Sequence, residues 1–291
     1  MLMMASMHGH ASIVEQLLTH GASLDLQDSA GGTALMFAAH YGRERVVDLL
    51  IRRGAEVNLQ DSDGGTALML ATQEGHERLV ELLIRHGAEV NVEDSRGSSA
   101  LMDAAVRGHE RVAELLLRHG AEIDLQKSDG STALMSAALF NHPAVVRRLL
   151  RAGADTAART PSGRTALQVA KEKGYAECVE TFRQHVKESV VAGRPTATAA
   201  GGEGAGGASS GGASSAGSRV AETLSPAVAA GRASSGVAAP DAVVAAVERG
   251  EEEAVLAWLE GGGRADATYK RGKASGLTLL MTAASYGPER V

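Results

Sequence analysis

Four methionines of this chain recur at a fixed spacing that invites a test for metal chemistry. Met36, Met69, Met102 and Met135 occupy the same position of successive 33-residue units. A thioether sulfur is a metal ligand, and several of them around one ion would make a site. Elements that repeat once per period pack about 10 Å apart, the usual distance between neighbouring helices. That distance is too long for two of these sulfurs to share one metal, so we predict that the methionines fill gaps in a core.

The histidines are numerous and follow the same period. His10, His76, His109 and His142 share one position of the 33-residue unit, and His8 precedes His10 by two residues. Imidazole nitrogens are common zinc ligands, but no acidic residue or cysteine completes a set at ligand spacing. We therefore predict no metal site.

Two further features resemble cofactor-binding or catalytic chemistry. Residues 202–207, GEGAGG, match the nucleotide-binding pattern G-x-G-x-x-G, yet they follow no strand and begin no helix. Cys178 is the single cysteine, and no histidine stands at a spacing typical of a catalytic pair. The chain is thus predicted to have no catalytic residues, to use no cofactor and not to be an enzyme.

The composition narrows the function further. A net charge of -6 and a pI near 5.9 argue against a nucleic-acid-binding protein, which normally shows a basic face. No apolar run is long enough to cross a bilayer. One cysteine permits no internal disulfide and fits a reducing compartment, so we expect the protein in the cytoplasm or the nucleus. Since only 3% of the residues are aromatic, the core must be built from Leu, Val, Ala and Met.

The 33-residue repeat also predicts the helices and turns that position these residues. A hydroxyl residue stands before each apolar run, where its side chain can accept from free backbone N–H groups at a helix start; these residues are Thr33, Thr66, Ser99, Thr132 and Thr165. A glycine two residues earlier predicts a tight turn. The first helix of each unit, about eight residues long, is predicted to stop at Gly42, Gly75, Gly108, Asn141 and Gly174. A second helix then ends at another glycine, so the unit is turn, helix, turn, helix and loop.

One full unit carries a family resemblance. Residues 61–91, DSDGGTALMLATQEGHERLVELLIRHGAEVN, resemble an ankyrin repeat in length, in their glycine positions and in the GAEVN ending. Five consecutive units agree at many positions, although the family motif Thr-Pro-Leu-His reads Thr-Ala-Leu-Met here. The resemblance implies an all-α fold, an ankyrin-repeat solenoid of 33-residue helix-turn-helix repeats joined by β-turn loops. Such units bury their apolar faces only against neighbours.

The chain divides by composition into three parts. Residues 1–186 are predicted to form an ankyrin array of about six repeats, of which the first is incomplete and the last resembles a cap. Residues 187–237 are rich in Gly, Ala and Ser and are predicted to be a disordered linker. Residues 238–291 resemble the start of a second array that is cut off within a repeat. We expect the chain to be truncated at both ends.

The resemblance also implies where a partner would bind. In ankyrin proteins the turn tips and the ends of the first helices usually contact the partner, along the concave side. By position, the charged turn-tip residues are Asp63, Arg96 and Asp129, each preceded by a serine. The helix-end residues are His40, Tyr41, Gln73, Glu74, Val106, Arg107, Leu139 and Phe140. Tyr41 and Phe140 are read either as partner-facing anchors or as incidental packing between repeats.

Asp103 is the twelfth candidate for the partner-binding site. Other units carry Phe37, Leu70, Ser136 or Val169 at this position. The aspartate is either a polar specificity element that points into the groove, or a residue tolerated at a half-exposed site. Both readings stay open at the level of the sequence.

These observations predict a protein-interaction scaffold or adaptor that binds an unidentified protein partner on its concave face. No nucleic acid partner and no membrane segment are expected. One alternative is the targeting portion of a larger enzyme or signalling protein whose catalytic or membrane domain lies outside this sequence. Another is a purely structural tether that holds two arrays together.

Overall fold

The fold is assembled from helix pairs joined by short turns. The computed structural model describes residues 1–191 and 238–268 of the chain. Within these residues it contains fourteen α-helices and one isolated β-bridge, between Glu93 and Ser99. The helices are α1 (Leu2–His8), α2 (Ala11–Thr19), α3 (Ala34–His40), α4 (Glu44–Arg52), α5 (Ala67–Gln73), α6 (Glu77–Arg85), α7 (Ala100–Arg107), α8 (Glu110–Arg118), α9 (Ala133–Leu139), α10 (Pro143–Ala152), α11 (Ala166–Glu172), α12 (Ala176–Val191), α13 (Asp241–Arg249) and α14 (Glu252–Glu260).

Threonine side chains begin most of the first helices, as the sequence predicts. Thr33 Oγ1 accepts a hydrogen bond from Met36 N at 3.3 Å, and the equivalent bonds form at Thr66, Thr132 and Thr165. Ser99 is the exception, because its hydroxyl is buried and caps nothing. The cap prediction is therefore confirmed at the four threonines and wrong at the serine.

The turn between the two helices of a unit requires a left-handed residue. Gly75 has a φ of 74°, and Asn141, which replaces glycine in its unit, has a φ of 60°. Asn141 is the only non-glycine residue with positive φ in the part of the chain that the structure describes. Asparagine tolerates this conformation better than most residues, so the predicted stop at Asn141 is confirmed.

The units stack so that like helices meet. First helices contact first helices in the order α1, α3, α5, α7, α9 and α11, and second helices form a parallel layer. Alanines such as Ala38 and Ala104 are fully buried and let the first helices approach closely. Met36 and Met102 are only 3% and 1% exposed. The methionines therefore pack in the core, as predicted.

Histidine side chains join successive units, a role that the sequence did not reveal. His76 Nε2 donates to the carbonyl oxygen of His40 at 3.0 Å, where the preceding first helix ends. His109 makes the same bond to Gln73 O at 3.0 Å. Each ring also fills the space beside the glycine of the previous unit, Gly42 in the case of His76. The periodic histidines therefore hold neighbouring repeats in register.

The two ends of the stack differ. At one end, α12 continues to Val191, past the expected boundary at residue 186, and Lys171 and Lys173 are exposed. At the other end, α13 contacts α1 and α14 contacts α2. The expected further unit from Gly276 to Val291, and residues 192–237 of the expected linker, lie outside the described residues. No described helix combines the length and hydropathy needed to cross a membrane.

Candidate functional site

A groove of about 380 Å³ lies between the turn tips and the ends of the first helices. Four consecutive units contribute to it. Its lining residues are Asp28, Ala30, Gly32, Met36, Phe37, His40, Asp61, Asp63, Gly65, Met69, Leu70, Gln73, Asp94, Ser95, Arg96, Asp103, Val106, Arg107 and Lys127. Its volume is in the range of small ligand-binding clefts.

The apolar residues of the groove come from the first helices. Phe37 and Leu70 occupy the same position in successive units, and Val106 lies near the end of α7. Leu70 and Val106 are half-buried. An apolar surface between polar rims is typical of sites that bury a side chain of a partner.

One end of the groove is acidic and held rigidly. Asp28 Oδ1 accepts from Ala30 N at 2.8 Å and from Gly32 N at 2.9 Å. The other carboxylate oxygen of Asp28 is buried and finds no hydrogen-bond partner within the described residues. Asp61 holds its turn in the same way, and burial raises the pKa of its carboxyl group, with a smaller contribution from neighbouring Asp63. This end therefore concentrates three carboxylates, those of Asp28, Asp61 and Asp63.

The other end of the groove is basic. The turn position held by Asp28 and Asp61 becomes Lys127 in the fifth unit. Arg96 lies between the two ends and donates to Asp94 Oδ2 from Nη2 at 2.8 Å. Arg107, at the end of α7, is exposed. Charge thus changes sign along the stack.

Asp103 lies between these ends and is 9% exposed. Gln73 Nε2 donates to its Oδ2 at 2.9 Å, and Ser98 Oγ donates to its Oδ1 at 3.3 Å. Burial raises the pKa of the carboxyl group, and these two hydrogen bonds only partly oppose the shift. The structure thus places Asp103 as a buried, hydrogen-bonded polar group in the groove wall.

His40 and Tyr41 form an aromatic pair at the end of α3. Their ring centroids are 4.9 Å apart and the rings are nearly perpendicular, at 88°. Burial lowers the pKa of His40, although Glu74, with Oε1 3.8 Å from His40 Nδ1, opposes the shift. Burial of the ring thus favours its uncharged form.

The match to a protein-family model covers most of the chain. Residues 2–94, 46–127 and 101–191 each match the model described as ankyrin repeats (3 copies). The chain belongs to the ankyrin repeat family. Comparison with curated proteins gave no match. Ankyrin repeats generally mediate protein–protein interactions and are typically non-catalytic scaffolds.

Seven of the twelve partner-binding residues proposed from the sequence line this groove, which we call the ankyrin groove. These are His40, Asp63, Gln73, Arg96, Asp103, Val106 and Arg107. The other five lie outside its lining: Tyr41, Glu74, Asp129, Leu139 and Phe140. Successive residues of a helix point about 100° apart, and in the second to fourth units the first member of each helix-end pair lines the groove, whereas Tyr41 and Glu74 do not. Arg107 is a second member whose longer side chain still reaches the groove.

The five outlying residues are placed as follows. Leu139 and Phe140 are 39% and 45% exposed, side by side at the end of α9. Asp129 is exposed, and its Oδ1 accepts from Ser131 N at 2.9 Å. Glu74 is also exposed, whereas Tyr41 is half-buried. Tyr41 and Phe140 therefore do not belong to the lining of the groove.

The sequence reasoning missed the acidic residues at the base of the turns. Asp28, Asp61 and Asp94 recur in the turns with the 33-residue period, a signal that was available. Their backbone bonds explain the recurrence, because the first oxygen of each closes the turn. The second oxygen of Asp28 has no hydrogen-bond partner among the described residues.

The remaining candidates from the sequence are the single cysteine and the possible metal ligands. Cys178 is buried, its thiol donates to Asn141 Oδ1 at 3.5 Å, and burial raises the pKa of the thiol. A thiol held protonated in this way is a poor nucleophile. Among residues 1–191 and 238–268, no group of three His, Cys, Asp or Glu side chains is arranged to hold a metal ion.

Proposed function

We propose that this protein is an adaptor whose ankyrin groove binds a segment of a partner protein. The observation that carries the proposal is the groove itself, in which apolar residues of the first helices lie between charged side chains of opposite sign. Such a surface offers burial for affinity and charge for specificity. The reducing compartment expected from the single cysteine, the cytoplasm or the nucleus, belongs to the same proposal.

The charge order defines the chemistry of the partner segment. A lysine or arginine of the partner fits the acidic end, where the buried second oxygen of Asp28 and the exposed carboxylate of Asp63 lie. An acidic residue further along the segment fits Arg107 and Lys127. An apolar side chain between them covers Leu70.

A second contact is proposed beyond the groove. Leu139 and Phe140 present adjacent apolar side chains to solvent at the end of α9. Exposed aromatic side chains are common anchors of interfaces. A folded partner that contacts both regions would span the turn tips of the third to fifth units.

Selection of random peptides displayed on phage, with the full chain as bait, tests the groove. We expect the enriched peptides to carry lysine or arginine followed by an acidic residue. Asp63→Asn removes one carboxylate from the rim and is expected to weaken the selected peptides about two- to fivefold, the usual effect of one exposed ion pair. Isothermal titration calorimetry measures the change.

Asp129→Asn is the matched control. Asp129 occupies the same repeat position as Asp63, two units later, but lies outside the groove. The selected peptides should bind this variant as they bind the unaltered chain. Equal losses for both variants, or no enriched peptides at all, would contradict the groove as the binding site.

A further inference from the structure

The helix pair α13–α14 lies against the first unit of the array, although the rest of the array and residues 192–237 lie between them in the sequence. We propose that residues 238–268 pack against the first unit as a further repeat of this array, supplied from the C-terminal part of the chain. Three contacts carry the proposal, and all of them follow the register of consecutive ankyrin repeats. The inference goes beyond the proposed function, because it concerns how the array is completed.

The first contact is a histidine bond. His10 Nε2 lies 3.1 Å from the carbonyl oxygen of Glu248, at the end of α13. The ring also sits beside Gly250, whose φ is 76°. His76 makes the same bond to His40 O and sits beside Gly42 in the same way. The junction thus has the geometry of an ordinary boundary between repeats.

The second contact lies in the loops that follow the second helices. Ser23 N donates to Asp266 Oδ1 at 2.8 Å, and Ser23 Oγ donates to Asp266 Oδ2 at 3.0 Å. Within the array, Glu89 N donates to Asn58 Oδ1 at 2.9 Å. Asp266 stands as far after Glu248 in the sequence as Asn58 stands after His40. The loop contact therefore shares the register of the histidine bond.

The third contact joins the starts of the second helices. Ser12 Oγ donates to the carboxylate of Glu252. At the corresponding place in the array, Arg78 Nη1 lies 3.9 Å from Glu44 Oε2. Glu252 stands as far after Glu248 as Glu44 stands after His40. Three contacts in the same register indicate packing of one repeat on another rather than an incidental contact between two apolar surfaces.

The same junction buries apolar side chains on both sides. Val247 and Val255 are at most 1% exposed, and so are Ile13 and Leu17 of α2. A repeat cannot bury its own apolar face and relies on its neighbours. The helix pair α13–α14 thus covers apolar surface that the first unit cannot bury by itself.

The chain is long enough to make this junction with itself. Residues 192–237 number 46, and a fully extended chain of that length reaches on the order of 150 Å. A stack of six helix pairs about 10 Å apart is roughly 60 Å long. Covalent geometry therefore permits residues 238–268 to reach the opposite end of their own array.

Cleavage of the folded chain tests the junction. A specific protease site is inserted between Gly211 and Gly212, and the cut protein is passed over a gel-filtration column. We expect the C-terminal fragment to stay with residues 1–211 as an equimolar complex. The intact chain should have the mass of a monomer, 29.9 kDa plus the inserted site, by light scattering.

A pair of glycine variants makes the test specific for the register. A Cβ at Gly250 would lie 2.7 Å from His10 Cε1, whereas a Cβ at Gly262 meets nothing within 4 Å. Both residues have positive φ, 76° and 92°, so alanine strains the helix pair in either place. We expect Gly250→Ala to weaken retention of the fragment about tenfold more than Gly262→Ala, since only the first change crowds the junction.

A charge change at the loop contact gives a second, milder variant. Ser23→Asp sets a carboxylate against Asp266 and should reduce retention, and the added change Asp266→Asn should restore it. Separation of the fragments in the unaltered protein would overturn the proposal, as would equal effects of the two glycine variants. A dimeric mass for the intact chain would show that a second copy supplies the helix pair, which also overturns it.

Discussion

The third and fourth repeats bury the same positions of their second helices but differ at the first-helix position that lines the groove. The second helices α6 and α8 read ERLVELLIR and ERVAELLLR, and both bury the same three positions. The first helices α5 and α7 begin differently, with Thr66 in one and Ser99 in the other. The position that faces the groove carries Leu70 in the third repeat and Asp103 in the fourth.

The second helices, which pack the repeats together, keep the same buried positions, whereas the first-helix residue that lines the groove changes from one repeat to the next. Leu70 covers apolar surface, whereas Asp103 is a buried carboxylate with two hydrogen bonds. A buried charge is costly even when it is hydrogen-bonded. The buried carboxylate of Asp103 thus lowers the stability of the fourth repeat and places a polar group in the groove wall. The third repeat has an apolar side chain, Leu70, at the same position.

Exchanging the two groove residues should produce the largest effect. Leu70→Asp is expected to lower the free energy of unfolding by about 2–3 kcal/mol, because it removes apolar burial and adds a carboxylate without partners. Asp103→Leu is expected to change it by about 1 kcal/mol or less, because relief of the buried carboxylate is offset by the loss of the hydrogen bond of the buried Ser98 hydroxyl. Urea denaturation followed by circular dichroism measures both. Two losses of similar size would show that Asp103 is as well accommodated as Leu70.

The ionisation of Asp103 should give a smaller effect that depends on pH. Burial raises the pKa of this carboxyl above the ordinary value of 3.8, so the folded state holds the proton to higher pH than the unfolded state does. The contribution of the protonated group to stability is therefore complete below pH 3.8 and is lost as the pH rises through the folded-state pKa. Asp103→Asn removes the titrating group, so the variant does not lose this contribution to stability as the pH rises.

Urea denaturation at several values between pH 4 and pH 7.5 measures the difference between the two proteins. The stability of the variant relative to the unaltered chain should increase with pH. Leu70→Asn serves as a control at the same position of the third repeat and should leave the shape of the pH profile unchanged. Parallel profiles for the unaltered chain and Asp103→Asn would contradict a raised pKa.

The sequence predicted the frame of the fold because the frame depends on backbone geometry. A left-handed turn admits glycine and, less readily, asparagine, so Gly75 and Asn141 marked helix ends without any knowledge of packing. The position of residues 238–268 could not be predicted in the same way. A period shows that units stack, but the order of stacking follows the chain only while the units are continuous in sequence.

The groove was harder to predict because it depends on side-chain direction. A helix-end pair such as His40 and Tyr41 looks equivalent in sequence, yet only His40 lines the groove. Asp28 was missed because its first oxygen serves the turn, which gives a sufficient local reason for its presence. Its second oxygen, which has no hydrogen-bond partner among the described residues, leaves no such local signal in the sequence.

The smallest predicted effect concerns the starts of the two first helices. Thr66 Oγ1 accepts from Met69 N at 3.3 Å, whereas the hydroxyl of Ser99 is buried and has no hydrogen-bond partner in the described part of the chain. Thr66→Ala should lower the free energy of unfolding by about 1 kcal/mol, the usual value of a helix cap. Ser99→Ala should change it by about 0.5 kcal/mol or less, since it removes no cap and relieves an unpaired polar group. Thr33→Ala, at an equivalent cap, should behave like Thr66→Ala, and a similar loss in Ser99→Ala would mean that the serine caps its helix after all.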